Sequence, residues 1–181
     1  MLTATYSIVA LSTEQNKARD ILRQLQKYVG DCLERQEEID FDRIQSALDT
    51  LTRFDHYCHA RKMETVLIPS VKGADRELDG LLSELDSLSL RSLDLLRAAQ
   101  EQLKQALDQG ITKLSELRHS VEHYCDSLSK RFAKEDEELV PMLVRLLPID
   151  QWFEIAAKFL SADAERKPHE PALSSSLPAL A

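Results

Sequence analysis

The stretch "HARKMETVLIP" at residues 59–69 decides the fold of this chain together with a second stretch, "RFAKEDEELVP" at residues 131–141. The second stretch begins 72 residues after the first (59 to 131), and each brings a helical pattern to a proline. Both carry two residues four positions apart at the same distance before that proline: His59 and Met63, then Arg131 and Glu135. Positions four apart share one helix face, from which a helix can offer two ligands to one metal. The repeat therefore raises the question of a metal site.

The residues around these stretches predict helices throughout. Only four glycines and six prolines occur among 181 residues, and hydrophobic side chains make up 43% of the chain. Such a composition favours long helices around a real core. Apolar residues at helical spacing predict four long helices, over 13–37, 41–68, 74–108 and 111–146.

The helix ends carry their own signals. Ser12 and Gln15 have the spacing of a capping box at the start of the first helix. Asp40 is a candidate N-cap for the second helix. A short fifth helix is predicted over 149–160, with Trp152 and neighbouring apolar residues packed on the end of the bundle. Residues 161–181 are rich in Pro, Ser and Ala, a composition typical of disorder.

These elements predict an all-α fold, an up-and-down antiparallel four-helix bundle with a short fifth helix and a disordered tail. We expect one domain over residues 1–160, followed by the tail at 161–181. The hairpin of the first two helices and that of the next two look like two copies of one unit. In each copy, the second helix carries the paired motif and the proline.

Charge and cysteine content narrow the possible functions. The net charge is −8 and no face dense in Lys and Arg is apparent, so we expect no nucleic-acid partner. The longest apolar run is too short for a membrane span. The odd set Cys32, Cys58 and Cys125, with no CxxC and no secretory signal, predicts reduced thiols in a cytoplasmic protein. No nucleophile–base pair or glycine-rich phosphate loop is visible, so we expect no enzyme.

In its two proline-bounded motifs the chain resembles the hemerythrin HHE cation-binding family, over roughly residues 10–160. The segments "FDHYCHARKMETVLIP" and "LSKRFAKEDEELVP" match the family pattern in spacing and flanking residues. In that pattern an HxxxE motif precedes a proline on the second and fourth helices, and the first and third helices each add a histidine. The resemblance implies an up-and-down bundle that holds two irons in its core.

Most of the ligands that the resemblance implies are replaced, so the chain is expected to be a divergent member. Two positions keep a ligand type, His59 and Glu135, while four carry replacements: Gln15, Met63, Leu85 and Arg131. A thioether is poorly matched to oxygen-bridged iron, and a guanidinium has no lone pair to donate. Arg131 is expected to form an ion pair with Glu135 one turn away, and thereby to balance the charge that a metal balances in relatives.

Three functions remain open, and the first is favoured. In the first, the chain is a bundle without cofactor that regulates or contacts an unknown protein, through its surface or the acidic run "AKEDEE". Alternatively, it binds haem with His59 as axial ligand beside Met63, and senses gas or redox state. In the third, it retains non-haem iron that binds O₂ or NO, using other carboxylates: Asp55, Glu64, Glu84 or Asp136.

The remaining histidines His56, His119 and His123 are predicted to be solvated. His119 and His123 have the spacing of a surface metal pair. Oligomeric state is left open.

Overall fold

The computed structural model describes residues 2–34, 40–109 and 112–165, and every regular element in these ranges is helical. Within these ranges seven α-helices follow one another: α1 (Leu2–Glu34), α2 (Phe41–His59), α3 (Ile68–Val71), α4 (Arg76–Gln109), α5 (Thr112–Lys134), α6 (Val140–Leu146) and α7 (Ile149–Glu165). Two π turns, Met63–Leu67 and Glu135–Leu139, precede α3 and α6. No helix within the described ranges is both long and apolar enough to cross a membrane.

Four helices form the predicted antiparallel bundle. The pair α1 and α2 and the pair α4 and α5 each pack as a hairpin. The two hairpins close into a bundle because α1 packs on α5 and α2 packs on α4. The last helix, α7, packs along α1. The predicted fold class is thereby confirmed.

Side-chain caps set two of the helix starts. The Asp40 carboxylate accepts a hydrogen bond from the Arg43 main-chain N–H at 2.9 Å, which confirms Asp40 as the N-cap of α2. Asp75 caps α4 by accepting from the N–H groups of Glu77 and Leu78 at 2.8 and 3.1 Å. Between α3 and α4 the chain reverses at Gly73, whose φ of 83° favours glycine.

The first helix is longer than predicted. It begins at Leu2 rather than near residue 13, so the capping box expected at Ser12 and Gln15 was wrong. Both residues lie in the middle of α1. The extra turns form because Leu11 and its apolar neighbours pack into a core cluster with α7, and such packing stabilises a helix beyond its local signals.

The helices around the two prolines are not regular. In each segment the N–H before the proline bonds five residues back, from Ile68 to the Met63 carbonyl and from Val140 to the Glu135 carbonyl. A proline inside an α-helix would clash with the carbonyl four residues earlier, and the wider π turn makes room for it. The helical chain therefore continues past both prolines, to Val71 and to Leu146, and the second predicted helix, 41–68, is interrupted at residues 60–61.

The last helix extends past its predicted end. Trp152, Ile155 and Phe159 are buried against the bundle, as predicted. The helix runs to Glu165, so disorder was wrong for residues 161–165. The rest of the predicted tail, 166–181, lies outside the described residues.

A polar layer divides the core in two. One apolar cluster combines the second half of α1 with α2, the end of α4 and α5. The other combines the start of α1 with both π turns, the start of α4, α6 and α7. Between them lie polar side chains from four parts of the chain: Gln15, Arg61, Glu64, Ser89, Ser92, Arg131 and Glu135. This layer is the candidate site.

Candidate functional site

Glu135 lies at the centre of the polar layer and is fully buried. Its carboxylate accepts four hydrogen bonds, so both oxygens are satisfied twice. Oε1 accepts from Arg61 Nη2 at 3.0 Å and from Arg131 Nε at 2.9 Å. Oε2 accepts from Arg61 Nη1 at 3.0 Å and from Gln15 Nε2 at 2.8 Å. The ion pair predicted between Arg131 and Glu135 is confirmed.

Arg131 connects three parts of the fold. Besides Glu135, its Nη1 donates to the Leu85 carbonyl at 2.8 Å and to the Ser89 hydroxyl, both on α4. Its Nη2 donates to the Glu64 carboxylate in the first π turn. The side chain is 3% exposed, so these contacts form away from water. Removal of Arg131 would take one donor from Glu135 and the hydrogen-bonded cation from Glu64.

Arg61 is the functional residue that the sequence analysis missed. It is among the largest fully buried side chains, and its guanidinium pairs bidentately with Glu135. The guanidinium also lies over the Phe132 ring, 4.7 Å from its centroid. In a regular helix residue 61 lies about 200° round from residue 59, on the other face. It does, however, follow the buried Cys58 by three residues and the buried Phe54 by seven, so it continues the buried stripe of α2, and this spacing could have identified it.

Four charged side chains form what we call the Arg–Glu cluster: Arg61, Glu64, Arg131 and Glu135. Two cations face two carboxylates, so the cluster is neutral when all four are ionised. Burial raises the pKa of Glu64, while the neighbouring Arg131 opposes that rise. Buried charges persist only when they are paired and hydrogen-bonded, and these four satisfy that condition.

His59 does not enter the polar layer. Its side chain is 52% exposed, and its Nε2 lies 3.5 Å from Asp55 Oδ2. The hydrogen bond with the buried Asp55 raises the pKa of His59. Tyr124 donates to the other Asp55 oxygen at 3.5 Å. The haem alternative places His59 beside the buried Met63, and the half-exposed position of His59 does not match that placement.

The space beside His59 is small. A cavity of about 10 Å³ lies among residues that include His59, Glu64, Arg131 and Phe132. That volume admits about one water molecule. A haem with His59 as axial ligand would require the surrounding helices to move apart.

The other predicted positions divide between the layer and the core. Gln15 is buried, and its amide nitrogen donates to Glu135 and to the Phe132 carbonyl. Its Oε1 has no partner among the described residues. Met63 and Leu85 are buried in the second apolar cluster as packing side chains. Leu85 also contributes its carbonyl to Arg131.

The alternative carboxylates do not assemble into a metal site. Asp136 pairs with Arg19, and Glu84 pairs with Lys134 at 2.7 Å. Within the described ranges, no three His, Cys, Asp or Glu side chains are grouped so that they could hold a metal ion. A di-iron centre does not fit this layer, because guanidinium groups have no lone pair and the oxygens of Glu135 are already engaged.

The surface features named from the sequence are also placed. His56 is exposed, as predicted. The rings of His119 and His123 meet edge to face at 4.0 Å on α5 and offer two ligands. In the acidic run, Glu135 is buried and Glu138 pairs with Lys134 at 3.0 Å, so the chain uses part of this run internally.

Comparison with known proteins gives one match. A family model described as "Hemerythrin HHE cation binding domain" matches residues 7–143. That span includes both π turns and the whole Arg–Glu cluster. A search of the curated proteins and a search of the solved structures each gave no match.

Proposed function

Because this chain belongs to the hemerythrin HHE cation-binding domain family, we propose that it is a metal-free member acting as a non-enzymatic regulatory or interaction bundle. The observation that carries the proposal is the set of hydrogen bonds that the Glu135 carboxylate accepts. This residue stands at a ligand position of the family pattern, and its carboxylate accepts hydrogen bonds from Arg61, Arg131 and Gln15 on both oxygens. Two guanidinium groups supply positive charge where the family pattern has two irons.

The exchange of metal for arginine changes what the layer can do. A guanidinium stays charged at physiological pH and neither dissociates nor changes oxidation state. Arg61 and Arg131 connect both π turns with α4, and Gln15 connects α1. The layer thus stabilises the bundle in one arrangement, and we expect the surface of the bundle, rather than the layer, to carry the function.

A surface for a protein partner is available on α7. The buried side chains of this helix include Trp152 and Phe159. Ile149, Phe153 and Leu160 form a second apolar row at helical spacing, and each is more than half exposed. A contiguous exposed apolar row is typical of a contact surface.

The cysteines support a cytoplasmic location, which we include in the proposal. Cys32, Cys58 and Cys125 are all free and buried. Burial raises the pKa of Cys58 and of Cys125 to about 12, so both thiols stay protonated and unreactive. Unpaired thiols are typical of reducing compartments.

Metal and haem analysis tests the first half of the proposal. The protein is purified without chelator, incubated anaerobically with Fe(II) and desalted, and iron per chain is measured. We expect less than about one tenth of an iron per chain, because the layer lacks a ligand set. One or more irons per chain would contradict the proposal. A Soret band after haem addition that is lost in His59→Ala would favour the haem alternative instead.

A matched variant shows whether the arginines are what excludes the metal. In Arg61→His/Arg131→His, two imidazoles stand beside Glu135 and Glu64, which is a donor set suited to transition metals. We expect this variant to bind Zn²⁺ or Fe(II) stoichiometrically under conditions where the natural chain does not. Equal uptake by both chains would show that the guanidinium groups do not decide metal binding. Circular dichroism establishes that the variant is folded.

Partner capture tests the second half. Extract of the native organism is passed over immobilised protein, and retained proteins are quantified by mass spectrometry. A specific partner should be retained by the natural chain and lost by Phe153→Ser/Leu160→Ser. Leu107→Ser alters an equally exposed leucine on α4 and serves as the control. If all three chains retain the same proteins equally, the row on α7 is not the contact surface.

A further inference from the structure

A groove of about 790 Å³ lies between α7 and the segment from Ala60 to Ser70. Its volume is within the range of small-molecule sites. Val66, Pro69 and Ala157 contribute apolar walls, and Lys62 and Lys158 contribute the charged groups. The groove lies outside the Arg–Glu cluster, so a ligand bound here would be additional to the function proposed above.

The two lysines of the groove differ in their partners. Lys62 Nζ lies 2.8 and 3.0 Å from the two carboxylate oxygens of Asp163, and its charge is therefore neutralised. Lys158 Nζ donates to the Ser70 hydroxyl at 3.1 Å. Among the residues that the structure describes, no carboxylate forms an ion pair with Lys158. On a chain of net charge −8, the groove thus carries one uncompensated positive charge.

The polar and apolar groups of the groove specify a ligand class. The Ser70 oxygen accepts from Lys158, which leaves the Ser70 O–H free to donate to an anion held by the ammonium. One net cation matches a singly charged head group better than a doubly charged phosphate. We propose that this groove binds an amphipathic organic acid, with one carboxylate on Lys158 and Ser70 and an apolar chain against Val66, Pro69 and Ala157.

Such a ligand would join two parts of the fold. Ala60 and Lys62 line the groove on either side of Arg61, whose side chain enters the polar layer. The main-chain N–H of Lys62 also donates to the Glu14 carboxylate of α1 at 2.8 Å, so this segment is bonded to α1 as well. An acid in the groove would add contacts between α7 and this segment, and would stabilise the docked position of α7.

Calorimetric titration with decanoate tests the proposal, with decanol and decyltrimethylammonium as matched chains without charge and with inverted charge. We expect saturable binding of one decanoate per chain, at least about threefold weaker binding of decanol, and no binding of the cation. Equal binding of decanoate and decanol, or no saturable binding of decanoate, would overturn the proposal.

Three variants locate the site. Lys158→Met keeps the aliphatic stem and removes the ammonium, so decanoate should bind no better than decanol. Ala157→Leu fills the groove and should weaken both ligands. Lys130→Met removes an exposed lysine on α5, away from the groove, and should change neither. Undiminished decanoate binding by Lys158→Met or by Ala157→Leu would overturn the proposal, with circular dichroism used to establish that each variant is folded.

Discussion

The two proline-bounded segments, 59–69 and 131–141, share a π turn and differ in how the chain enters it. Before the second turn, α5 runs without interruption to Lys134, and Arg131 points into the polar layer. Before the first turn, α2 ends at His59 and the chain is irregular at residues 60–61. His59, the last residue of α2, is half exposed, whereas Arg61, three residues after the buried Cys58, continues the buried stripe of α2 and enters the layer.

Despite this difference, each segment contributes the same chemistry. Arg61 and Glu64 lie three residues apart with 3.6 Å between them, and Arg131 and Glu135 lie four apart at 2.9 Å. One arginine and one carboxylate come from each half. Motif position alone therefore does not decide which side chain is buried, because the buried stripe of each helix sets which residue faces the core.

The carboxylates of the two segments differ in burial, and loss of the more buried one is expected to lower stability the most. Glu135 is fully buried, whereas 18% of the Glu64 side chain is exposed. Glu135→Leu would leave Arg61 and Arg131 in the core without their shared carboxylate. We expect the free energy of unfolding to fall by about 3–5 kcal/mol, measured by urea denaturation. Glu137→Gln, an exposed position in the same run, is the control, and equal losses in the two variants would contradict central pairing.

The two arginines provide the next test. Arg131→Met removes bonds to Glu135, Glu64 and the Leu85 carbonyl, whereas Arg61→Met leaves Glu135 with Arg131 and Gln15. We expect losses of about 3 kcal/mol for Arg131→Met and about 2 kcal/mol for Arg61→Met. A reversed order would show that the first segment holds the layer together.

A double-mutant cycle measures how closely the two segments are coupled. Arg61→Met and Glu135→Leu act on the same ion pair. The sum of their separate losses in the free energy of unfolding should therefore exceed the loss in the double variant by about 1–3 kcal/mol. Additive losses would mean that Arg61 and Glu135 do not stabilise one another in solution. Urea denaturation of the four chains supplies all the values.

His59 gives the smallest effect and concerns only the first segment. Its folded-state pKa is raised by the hydrogen bond with Asp55. The stability that this contact adds is therefore full below the unfolded pKa of about 6.5 and is lost as pH rises through the folded pKa. We expect a few tenths of a kcal/mol, because the side chain is half exposed and screened by water.

NMR titration of the His59 ring measures this directly. Asp55→Asn should lower the His59 pKa toward its ordinary value, while the surface variant Glu122→Gln should leave it unchanged. Comparison of unfolding at about pH 6 and about pH 8 should then show the extra stability at low pH in the natural chain and in Glu122→Gln, but not in Asp55→Asn. An unchanged His59 pKa in Asp55→Asn would assign the raised pKa to another cause.

Much of the fold was predictable because helices leave local signals. Apolar periodicity located four bundle helices, and Asp40 marked the start of α2. The ion pair between Arg131 and Glu135 followed from a spacing of one helical turn. The start of α1 was missed because it depends on packing against α7, which periodicity near residue 12 does not reveal.

By itself, the sequence determined the helical bundle and its two proline-bounded segments, since these follow from periodicity and residue type. Only the tertiary structure decided which charges meet. Gln15 and Arg61 reach Glu135 from 120 and 74 residues away in the chain. A buried carboxylate is stable only where donors converge on it, and convergence from distant helices depends on how those helices pack.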